Sequence, residues 1–538
     1  MNKNEDDQVE IENKNRFEII DTSFSNSENA TDESDSGNGE RESSHEKFRR
    51  LIFSTCLPGE DSIIGPIANL CSATLGAGVL ALPFAISSAG IIFGIFLLII
   101  AAASTILSID MLVESCAKSK QKSYETLTVA LFGNAMGWIV EGCILVFCFG
   151  VCVAYIVAVG DILEQGVLGS FQNNQLPSFI TREFVMVLFW LFIMFPLSLF
   201  QKINALRFAS LFGVSSICFL VFAVSFHSIR TLSKLPYDPD LYLPSTNSEH
   251  STSTHIKLWP DNFVDAIRAC PIILFAFNCQ INVPAIFDEL KPVSNSHHSS
   301  LAMMNKITRG SIRTCFSLYI VMGVLAYLEF GKNTQDNVLK NYCVQLTHDP
   351  LMIIAFCGIT ISVVLAFPLN VFPSRITLDI IVTRFYDRFF ESNADVLTDF
   401  DDNSIEALLL EDSYLTPCYE ENDVLEPSSS PPESLSRRSQ IKHFFLTLII
   451  SGCALLVAIV VPDISLVFGL LGGFASSLTG LIMPAAFHLK LRLSESRKWK
   501  KLGAWALILG GALIGTLSTI VTIESIFQTP DKVDVCSS

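Results

Sequence analysis

The stretch NLCSATLGAGVLALP, which runs from Asn69 to Pro83, lies inside an apolar segment long enough to cross a bilayer. It also carries a proline, two glycines one residue apart, and three polar side chains, those of Asn69, Ser72 and Thr74. A helix that only anchored the chain would be more stable with leucine at these positions. The stretch therefore indicates either a close packing contact between helices, for which small residues are suited, or a functional break in the helix.

The chain is too apolar for a soluble protein of its length. Its 538 residues are 50% hydrophobic and 17% charged, and the mean hydropathy is +0.46. Apolar runs of roughly 20 residues, each able to span about 30 Å of hydrocarbon, recur along most of the sequence. The composition predicts a multi-pass integral protein of the lipid bilayer, and no nucleic-acid partner is expected.

Two polar segments account for the net charge of −17. Residues 1–50 hold 14 acidic and 7 basic residues, and residues 385–441 hold 14 acidic and 3 basic residues. Both segments are rich in serine, asparagine and acidic residues, a composition typical of disordered chains. We therefore predict a disordered acidic cytosolic tail over 1–55 and a disordered acidic cytosolic loop over 385–441.

Eleven apolar segments are predicted to cross the membrane. The first eight lie within 56–384 and the last three within 442–526, followed by a short tail over 527–538. Their approximate limits are 63–86, 89–113, 136–161, 183–200, 207–228, 262–287, 309–330, 350–380, 442–461, 464–489 and 502–526. Basic residues concentrate in alternate connections, for example between Lys490 and Lys501, and the positive-inside rule then places the N-terminus in the cytosol.

A second span is interrupted like the first. The segment ACPIILFAFNCQINVPAIFDEL, from Ala269 to Leu290, places Asn278 and Gln280 in the middle of an apolar run. The interrupted spans are the first and the sixth, which are corresponding positions of a five-plus-five arrangement. Discontinuous helices at such positions are typical of secondary transporters built from inverted repeats. The sequence therefore predicts an all-α membrane protein of about eleven spans with an inverted five-plus-five repeat.

The backbone at the two breaks is predicted to hold the substrate. Unwound backbone leaves N–H and C=O groups without helical partners, which a membrane protein tolerates only where these groups line a cavity. The helix that follows Gly78 turns its positive dipole end towards the break and suits a carboxylate, and the carbonyl end before the break suits an ammonium group. A small zwitterion fits both ends. The predicted substrate-binding residues are Asn69, Ser72, Thr74, Gly76, Ala77, Gly78, Phe277, Asn278, Gln280 and, with a core- or lipid-facing position as its alternative, Tyr155.

Several motifs in order resemble the amino acid/auxin permease family, and specifically its neutral amino acid transporter branch. NLCSATLGAGVLALPFA resembles the first-span signature of that family, and PIILFAFNCQINVPAIFDEL resembles its sixth span. VVLAFPLNVFPSR (Val363–Arg375) is similar to the eighth span, and VVPDISLVFGLLGGFASSLTGLIMPAAFHLKL (Val460–Leu491) is similar to the tenth. The resemblance covers about residues 60–525. It implies the fold of the bacterial leucine transporter and amino acid movement driven by a cation.

The same resemblance raises the question of which cation drives transport. Sodium-coupled members typically carry a threonine two or four residues before the eighth-span proline, where its hydroxyl ligates sodium together with first-span carbonyls. This chain has Ala366 and Val364 at those positions, and Ser72 where a second asparagine is common. Ser362, one helical turn earlier, is the candidate substitute ligand. The departure favours a proton over sodium, and the tentative coupling-ion residues are Ser72, Ser362 and Ala366.

No side chain in the interrupted spans is identified as a proton carrier. Asp110, Glu141 and Asp161 lie near span ends, where a charge at the membrane interface is expected rather than a proton relay. Arg375 is likewise expected to anchor the inner end of the eighth span.

These features favour a transporter, and two other classes stay open. An amino acid sensor would use the same fold as a receptor and signal through the acidic N-terminal tail. A channel or purely structural membrane protein is disfavoured, because rows of charged pore residues are missing. An enzyme is not expected, because the sequence has no nucleotide-binding loop, no Ser/His/Asp arrangement and no metal-ligand spacing of cysteine or histidine, and no cofactor or metal is predicted. The expected location is the plasma membrane or a vacuolar/lysosomal membrane.

Overall fold

The computed structural model describes nine stretches of the chain: 64–165, 181–200, 207–234, 256–290, 297–342, 349–394, 433–461, 463–493 and 498–527. All of them belong to one compact unit, Asp61–Ser538. The predicted acidic tail over 1–55, residues 395–432 of the predicted acidic loop, and residues 528–538 lie outside these stretches.

Throughout the described stretches, all regular structure is helical, which confirms the predicted all-α class. Span 1 consists of two half-helices, 1a (Ile64–Thr74) and 1b (Gly78–Ala89), and span 6 of two others, 6a (Phe263–Ala276) and 6b (Val283–Glu289). The uninterrupted α-helical spans are span 2 (Ile91–Ser119), span 3 (Asn134–Leu163), span 5 (Arg207–Lys234), span 7 (His297–Phe330), span 8 (Pro350–Ala394), span 9 (Glu433–Val460) and span 11 (Lys498–Phe527). Spans 4 and 10 each contain a π-helical segment, so that span 4 is Arg182–Phe189, Trp190–Met194 and Phe195–Ser198, and span 10 is Ile464–Leu470, Leu471–Ile482 and Met483–Lys490.

Ten of the eleven predicted spans are long and apolar enough to cross a membrane. Nine of them are helical segments that pass without a sharp bend in the described stretches, spans 6 and 10 included, and the tenth is the bent pair of half-helices that forms span 1. Span 4 falls short, because its three segments have only 8, 5 and 4 residues. At 1.5 Å per residue they cover about 26 Å, slightly less than the thickness of the hydrocarbon.

The predicted breaks in spans 1 and 6 are confirmed. The helix axis bends by 55° between Thr74 and Gly78. Half-helix 6a ends at Ala276, and a short 3-10 turn that begins four residues later, at Gln280, leads into 6b. Half-helix 1b packs against 6a, since a β-carbon at Gly78 would lie 3.1 Å from the Cα of Ala276. Five spans, the first of them broken, thus precede a second series that also opens on a broken span.

A charge network joins the ends of spans 3 and 4 to the connection between spans 7 and 8. The carboxylate of Asp161 accepts hydrogen bonds from Arg182 (2.8 Å) and Asn337 (2.9 Å), and the ammonium of Lys340 lies 3.4 Å away. Burial opposes the charge of Lys340, but the nearby carboxylates of Asp161 and Asp336 outweigh burial and raise the pKa of Lys340 above its usual range. Only 1% of the Asp161 side chain is exposed, so this charge near the end of span 3 is enclosed by protein.

Three other charged residues discussed from the sequence also lie within the described stretches. Glu141 is buried and Asp110 is half-buried, rather than lying in the open. The guanidinium of Arg375 donates to the hydroxyl of Thr447 (3.1 Å) and lies 3.4 Å from the imidazole of His443. Arg375 thus ties spans 8 and 9 together at their predicted cytosolic ends, as expected for an anchor.

Candidate substrate site

A small cavity of about 40 Å³ lies beside the break in span 1. Four spans supply its walls. Span 1 contributes Ser72, Leu75, Gly76 and Ala77, span 3 contributes Tyr155, span 5 contributes Ser210, Gly213 and Ile217, and span 8 contributes Ile359, Ser362, Val363, Ala366 and Leu369. Six of the residues predicted to bind substrate or coupling ion therefore meet in one place: Ser72, Gly76, Ala77, Tyr155, Ser362 and Ala366.

The polar side chains that line the cavity all carry hydroxyl groups. Ser72, Tyr155 and Ser362 were expected there from the sequence, and Ser210 was not. Ser210, Gly213 and Ile217 follow one another at three- and four-residue spacing, so they share one face of span 5. That spacing was the available signal, but any helix in this protein carries such a face, and only packing shows which face meets the cavity.

The backbone at the first break offers hydrogen-bond acceptors at the end of half-helix 1a and hydrogen-bond donors at the start of half-helix 1b. The N–H of Gly76 bonds to the carbonyl of Thr74 (3.1 Å), two residues back, so the carbonyl of Ser72 loses the donor that a continuous helix would supply. On the other side of the break, half-helix 1b begins at Gly78 with its positive dipole end towards the cavity-lining Gly76 and Ala77. The first break thus has the two complementary ends that were predicted for a zwitterion.

The other first-span candidates do not line the cavity. Asn69 is exposed near the start of the span, and the hydroxyl of Thr74 is engaged with the carbonyl of Leu70 (2.8 Å). Gly78 contacts half-helix 6a, where the nearest atoms to an added β-carbon belong to Ala276 and Phe275. The sequence allowed two roles for the glycines, a packing contact between helices or a functional break. Gly78 has the first role in the structure, since it packs against half-helix 6a.

The candidates from span 6 face span 10 and span 7 instead of the cavity. A β-carbon at Gly480 would lie 3.2 Å from the amide oxygen of Asn278 and 3.4 Å from that of Gln280. Asn278 is 8% exposed, and its amide has no hydrogen-bond partner among the described residues. The Gln280 oxygen accepts from the N–H of Cys279 (2.9 Å). The ring of Phe277 packs edge-on against Tyr319, with centroids 5.1 Å apart. The candidates from span 6 are therefore not among the residues that line the cavity beside the break in span 1.

The eighth-span positions bear directly on the coupling ion. Ala366 lines the cavity with a methyl group, and its carbonyl accepts from the side-chain amide of Asn370 (3.1 Å). Val364 is buried and is not among the residues that line the cavity. Ser362 does reach the cavity, and its hydroxyl lies 3.1 Å from the point where Gly213 would place a β-carbon. Sodium-coupled members of the family typically carry threonine at the position of Val364 or Ala366. Of these two, only Ala366 lines the cavity, so only a hydroxyl at that position could reach an ion there.

No cluster of three or more histidine, cysteine or carboxylate side chains that could hold a metal occurs in the part of the chain that the structure describes. The hydroxyl and carbonyl groups around the cavity are neutral oxygens, which suit an alkali cation, water or the polar groups of an organic substrate.

The chain is similar in sequence to several known proteins. The family model described as transmembrane amino acid transporter protein matches residues 59–524. Among similar proteins, vacuolar amino acid transporter 6 of Saccharomyces cerevisiae is 27% identical over 443 residues, which are 81% of this chain and 91% of the yeast protein. The sodium-coupled neutral amino acid transporter 7 of Xenopus laevis is 24% identical over 482 residues, covering 88% of this chain and 91% of the frog protein. A crystal structure of a manganese transporter mutant from Eremococcus coleocola superposes with a TM-score of 0.48 at 13% identity, over 89% of this chain and 92% of that one. Because the family model extends over most of the sequence, the chain belongs to the family of transmembrane amino acid transporter proteins, the amino acid/auxin permease family that its motifs resemble.

Proposed function

We propose that the protein is a secondary active transporter that carries small neutral amino acids by alternating access and is driven by a proton gradient. The observation that carries this proposal is the interrupted first span, whose Ser72, Gly76 and Ala77 line a cavity shared with spans 3, 5 and 8. A cavity of about 40 Å³ has room for a few water molecules and not for an amino acid. Binding therefore requires the walls to separate, which is the motion that alternating access supplies.

The lining of the cavity favours a neutral substrate. The carbonyl of Ser72 can accept a hydrogen bond from an α-ammonium group, and the amide end of half-helix 1b can donate to an α-carboxylate. Leu75, Ile217 and Ile359 offer apolar surface for a side chain. Every side chain that lines this cavity is uncharged, so a charged substrate side chain would have no counter-charge here.

The eighth span supports a proton as the coupling ion. A sodium site needs about six oxygen ligands, several of them carbonyls freed by unwinding. Ala366 offers no hydroxyl, and its carbonyl is already engaged by Asn370. Ser72, Ser210 and Ser362 could supply hydroxyl oxygens, so sodium is the alternative that the experiment must test.

The decisive measurement is uptake of radiolabelled alanine, serine, glutamine and leucine into proteoliposomes, with proton and sodium gradients imposed separately. We expect uptake of at least one of these amino acids to rise with a proton gradient and to persist when choline replaces sodium. Uptake that strictly requires sodium and ignores the pH gradient would overturn proton coupling and would point to Ser362 as the substitute ligand. Absence of uptake under both gradients would favour the amino acid sensor.

A matched pair of variants tests the role of the eighth span. Ala366→Thr places a hydroxyl in the cavity and should introduce measurable sodium dependence. Val364→Thr adds the same group to the same helix at a position outside the cavity lining, so it should not change the cation requirement. An equal effect of the two substitutions would show that Ala366 has no special relation to the ion.

The orientation and the membrane are also proposals. The alternation of basic connections supports a cytosolic N-terminus, and we place the protein in the plasma membrane or a vacuolar/lysosomal membrane. Protease protection of an N-terminal tag in sealed organelles, together with fluorescence microscopy against markers of both membranes, tests these assignments. Protection of the tag from the protease would contradict a cytosolic N-terminus.

A further inference from the structure

Tyr319, in the middle of span 7, contacts the breaks of both discontinuous spans. Its side chain is fully buried. The hydroxyl lies 2.9 Å from the carbonyl oxygen of Thr74 and 2.7 Å from that of Ala276. Thr74 is the last residue of half-helix 1a, and Ala276 is the last residue of half-helix 6a. One hydroxyl group therefore bridges the carbonyl ends of both half-helices.

The carbonyl of Thr74 also accepts from the N–H of Gly76 (3.1 Å), whereas the backbone N–H groups that follow half-helix 6a donate to the carbonyls of Ile273 and Phe275 and not to that of Ala276. The last carbonyls of a helix have no amide donor within the helix, and an unsatisfied carbonyl in the interior of a membrane protein is costly. The two helix ends also carry partial negative charge and converge on the same point. Tyr319 places a neutral donor there, where a cation would otherwise be attracted.

The hydroxyl of Tyr319 can satisfy only one of the carbonyls at a time. A phenol has a single hydrogen to donate, and both carbonyl oxygens are acceptors. The hydrogen bond can thus pass from Thr74 to Ala276 by rotation of the O–H bond alone, with no movement of the ring. The edge-on packing of Phe277 against the ring, at 5.1 Å between centroids, holds the ring in place during such a change.

Other contacts of span 7 reach half-helix 1a without reaching half-helix 6a. The hydroxyl of Ser311 donates to the carbonyl of Ile67 (3.1 Å), and the thiol of Cys71 donates to the carbonyl of Ser311 (3.7 Å). These contacts tie span 7 to one half-helix. Tyr319 is distinguished by its simultaneous reach to the ends of 1a and 6a.

We propose that Tyr319 is a positioning residue that sets the two breaks relative to each other, and that turnover depends on its hydroxyl more than substrate affinity does. This proposal rests on the transport function proposed above. Tyr319 is not among the residues that line the cavity, so removal of its hydroxyl leaves the binding surface in place. When half-helices 1a and 6a move during alternating access, their ends then lack the donor that they share in this structure.

The test is Tyr319→Phe, with Tyr327→Phe as the matched control. Tyr327 lies about two turns later on the same helix and is also fully buried, but its hydroxyl accepts from the N–H of Lys257 (2.7 Å), away from both breaks. In proteoliposomes, with the amino acid that the unmodified protein carries best, Tyr319→Phe should lower Vmax roughly tenfold and leave KM within about threefold. Tyr327→Phe should leave both constants close to those of the unmodified protein. An unchanged Vmax, or a rise in KM alone, would overturn the proposal.

A second readout does not depend on transport. Hydrogen–deuterium exchange of peptides covering 70–82 and 270–282 should accelerate in both segments in Tyr319→Phe and in neither segment in Tyr327→Phe. Acceleration in one segment or in none contradicts a bridge between the breaks. If the unmodified protein shows no uptake, the proposed function fails, whereas the exchange experiment still decides the role of Tyr319.

A third variant covers the case in which Tyr319→Phe does not accumulate. Incorporation of 3-fluorotyrosine at position 319 keeps the ring and the hydroxyl and makes the hydroxyl a stronger hydrogen-bond donor. Exchange in both segments should then slow relative to the unmodified protein. Unchanged exchange with this substitution would overturn the proposal.

Discussion

Replacement of Asp161 by asparagine is the perturbation that most directly probes how the predicted non-cytosolic end of the protein is held together. Asp161→Asn keeps the shape of the side chain and removes its negative charge. The charge lies inside the protein, between Arg182 (2.8 Å) and Lys340 (3.4 Å), and 1% of the side chain is exposed. We expect a clear loss of stability, because two cations lose a buried counter-ion.

The size of the stability loss depends on the ion pairs that Arg182 and Lys340 keep in Asp161→Asn. Removal of one partner from a buried ion pair typically costs about 3–5 kcal/mol. Arg182 keeps a second carboxylate in Glu164 (3.3 Å), and Lys340 keeps Asp336 (3.0 Å). Both cations also remain partly accessible to solvent. The loss should therefore fall near the lower end of that range, about 3 kcal/mol.

The assay is equilibrium unfolding in detergent micelles, followed by circular dichroism, with Asp288→Asn as the matched control. Asp288 pairs with Lys122 at 3.4 Å on the exposed surface, where such a pair contributes about 0–1 kcal/mol. A double-mutant cycle with Arg182→Gln should give a clear coupling energy between positions 161 and 182. If Asp161→Asn costs no more than Asp288→Asn, the network does not hold spans 3 and 4 to the connection between spans 7 and 8, and the reasoning is refuted.

Gly76→Ala would place a methyl group inside the cavity, 3.6 Å from the hydroxyl of Tyr155. Amino acid uptake should fall by roughly tenfold or more, with little change in melting temperature. Normal uptake would exclude the first break as a binding surface. Burial raises the pKa of Asp349, but a backbone N–H and the adjacent imidazole of His227 (2.6 Å) outweigh burial and hold this pKa below 3.8. The stabilisation by the Asp349 carboxylate is therefore fully present in mildly acidic and neutral solution and is lost only as the pH falls through the lowered value. Asp349→Asn should therefore lower the melting temperature at about pH 7, the loss should shrink as the pH falls below about 4, and a loss that does not depend on pH would contradict this role of the carboxylate. Deletion of residues 1–45 should leave the KM of uptake unchanged, and a large rise in KM for the purified protein would show that the tail contributes to the transport core.

The interruptions of spans 1 and 6 could be predicted because their causes are local. Gly76 and Gly78 lie in one apolar run, and Asn278 and Gln280 lie in another, and each disturbs the helix within a few residues of itself. The structure confirms both breaks, with a bend of 55° in span 1. It also shows that neighbouring glycines can differ in role, since Gly76 lines the cavity and Gly78 packs against half-helix 6a.

The composition of the site could be predicted only in part. Ser72, Gly76 and Ala77 follow from the break itself, and the prediction for Tyr155 agrees with its place in the cavity wall. Ser210 could not be identified, because a serine on a long apolar helix has the same local pattern whether it faces lipid, a neighbouring helix or a cavity. Asn278 shows the converse, since its polarity marked the break but did not show that its amide faces Gly480 in span 10.

The sequence by itself therefore determined the class of protein, the spans, the two breaks and the family resemblance, since hydropathy, helix-breaking residues and motifs all act over short distances along the chain. Only the tertiary structure decided which faces of spans 3, 5 and 8 meet the first break. It also decided that Asp161 lies buried between two cations. In the same way, only the tertiary structure shows that Tyr319 joins the ends of two half-helices that are some 200 residues apart in the sequence. These contacts depend on the rotation and depth of each helix, and those are set by packing against several partners at once, which no local pattern specifies.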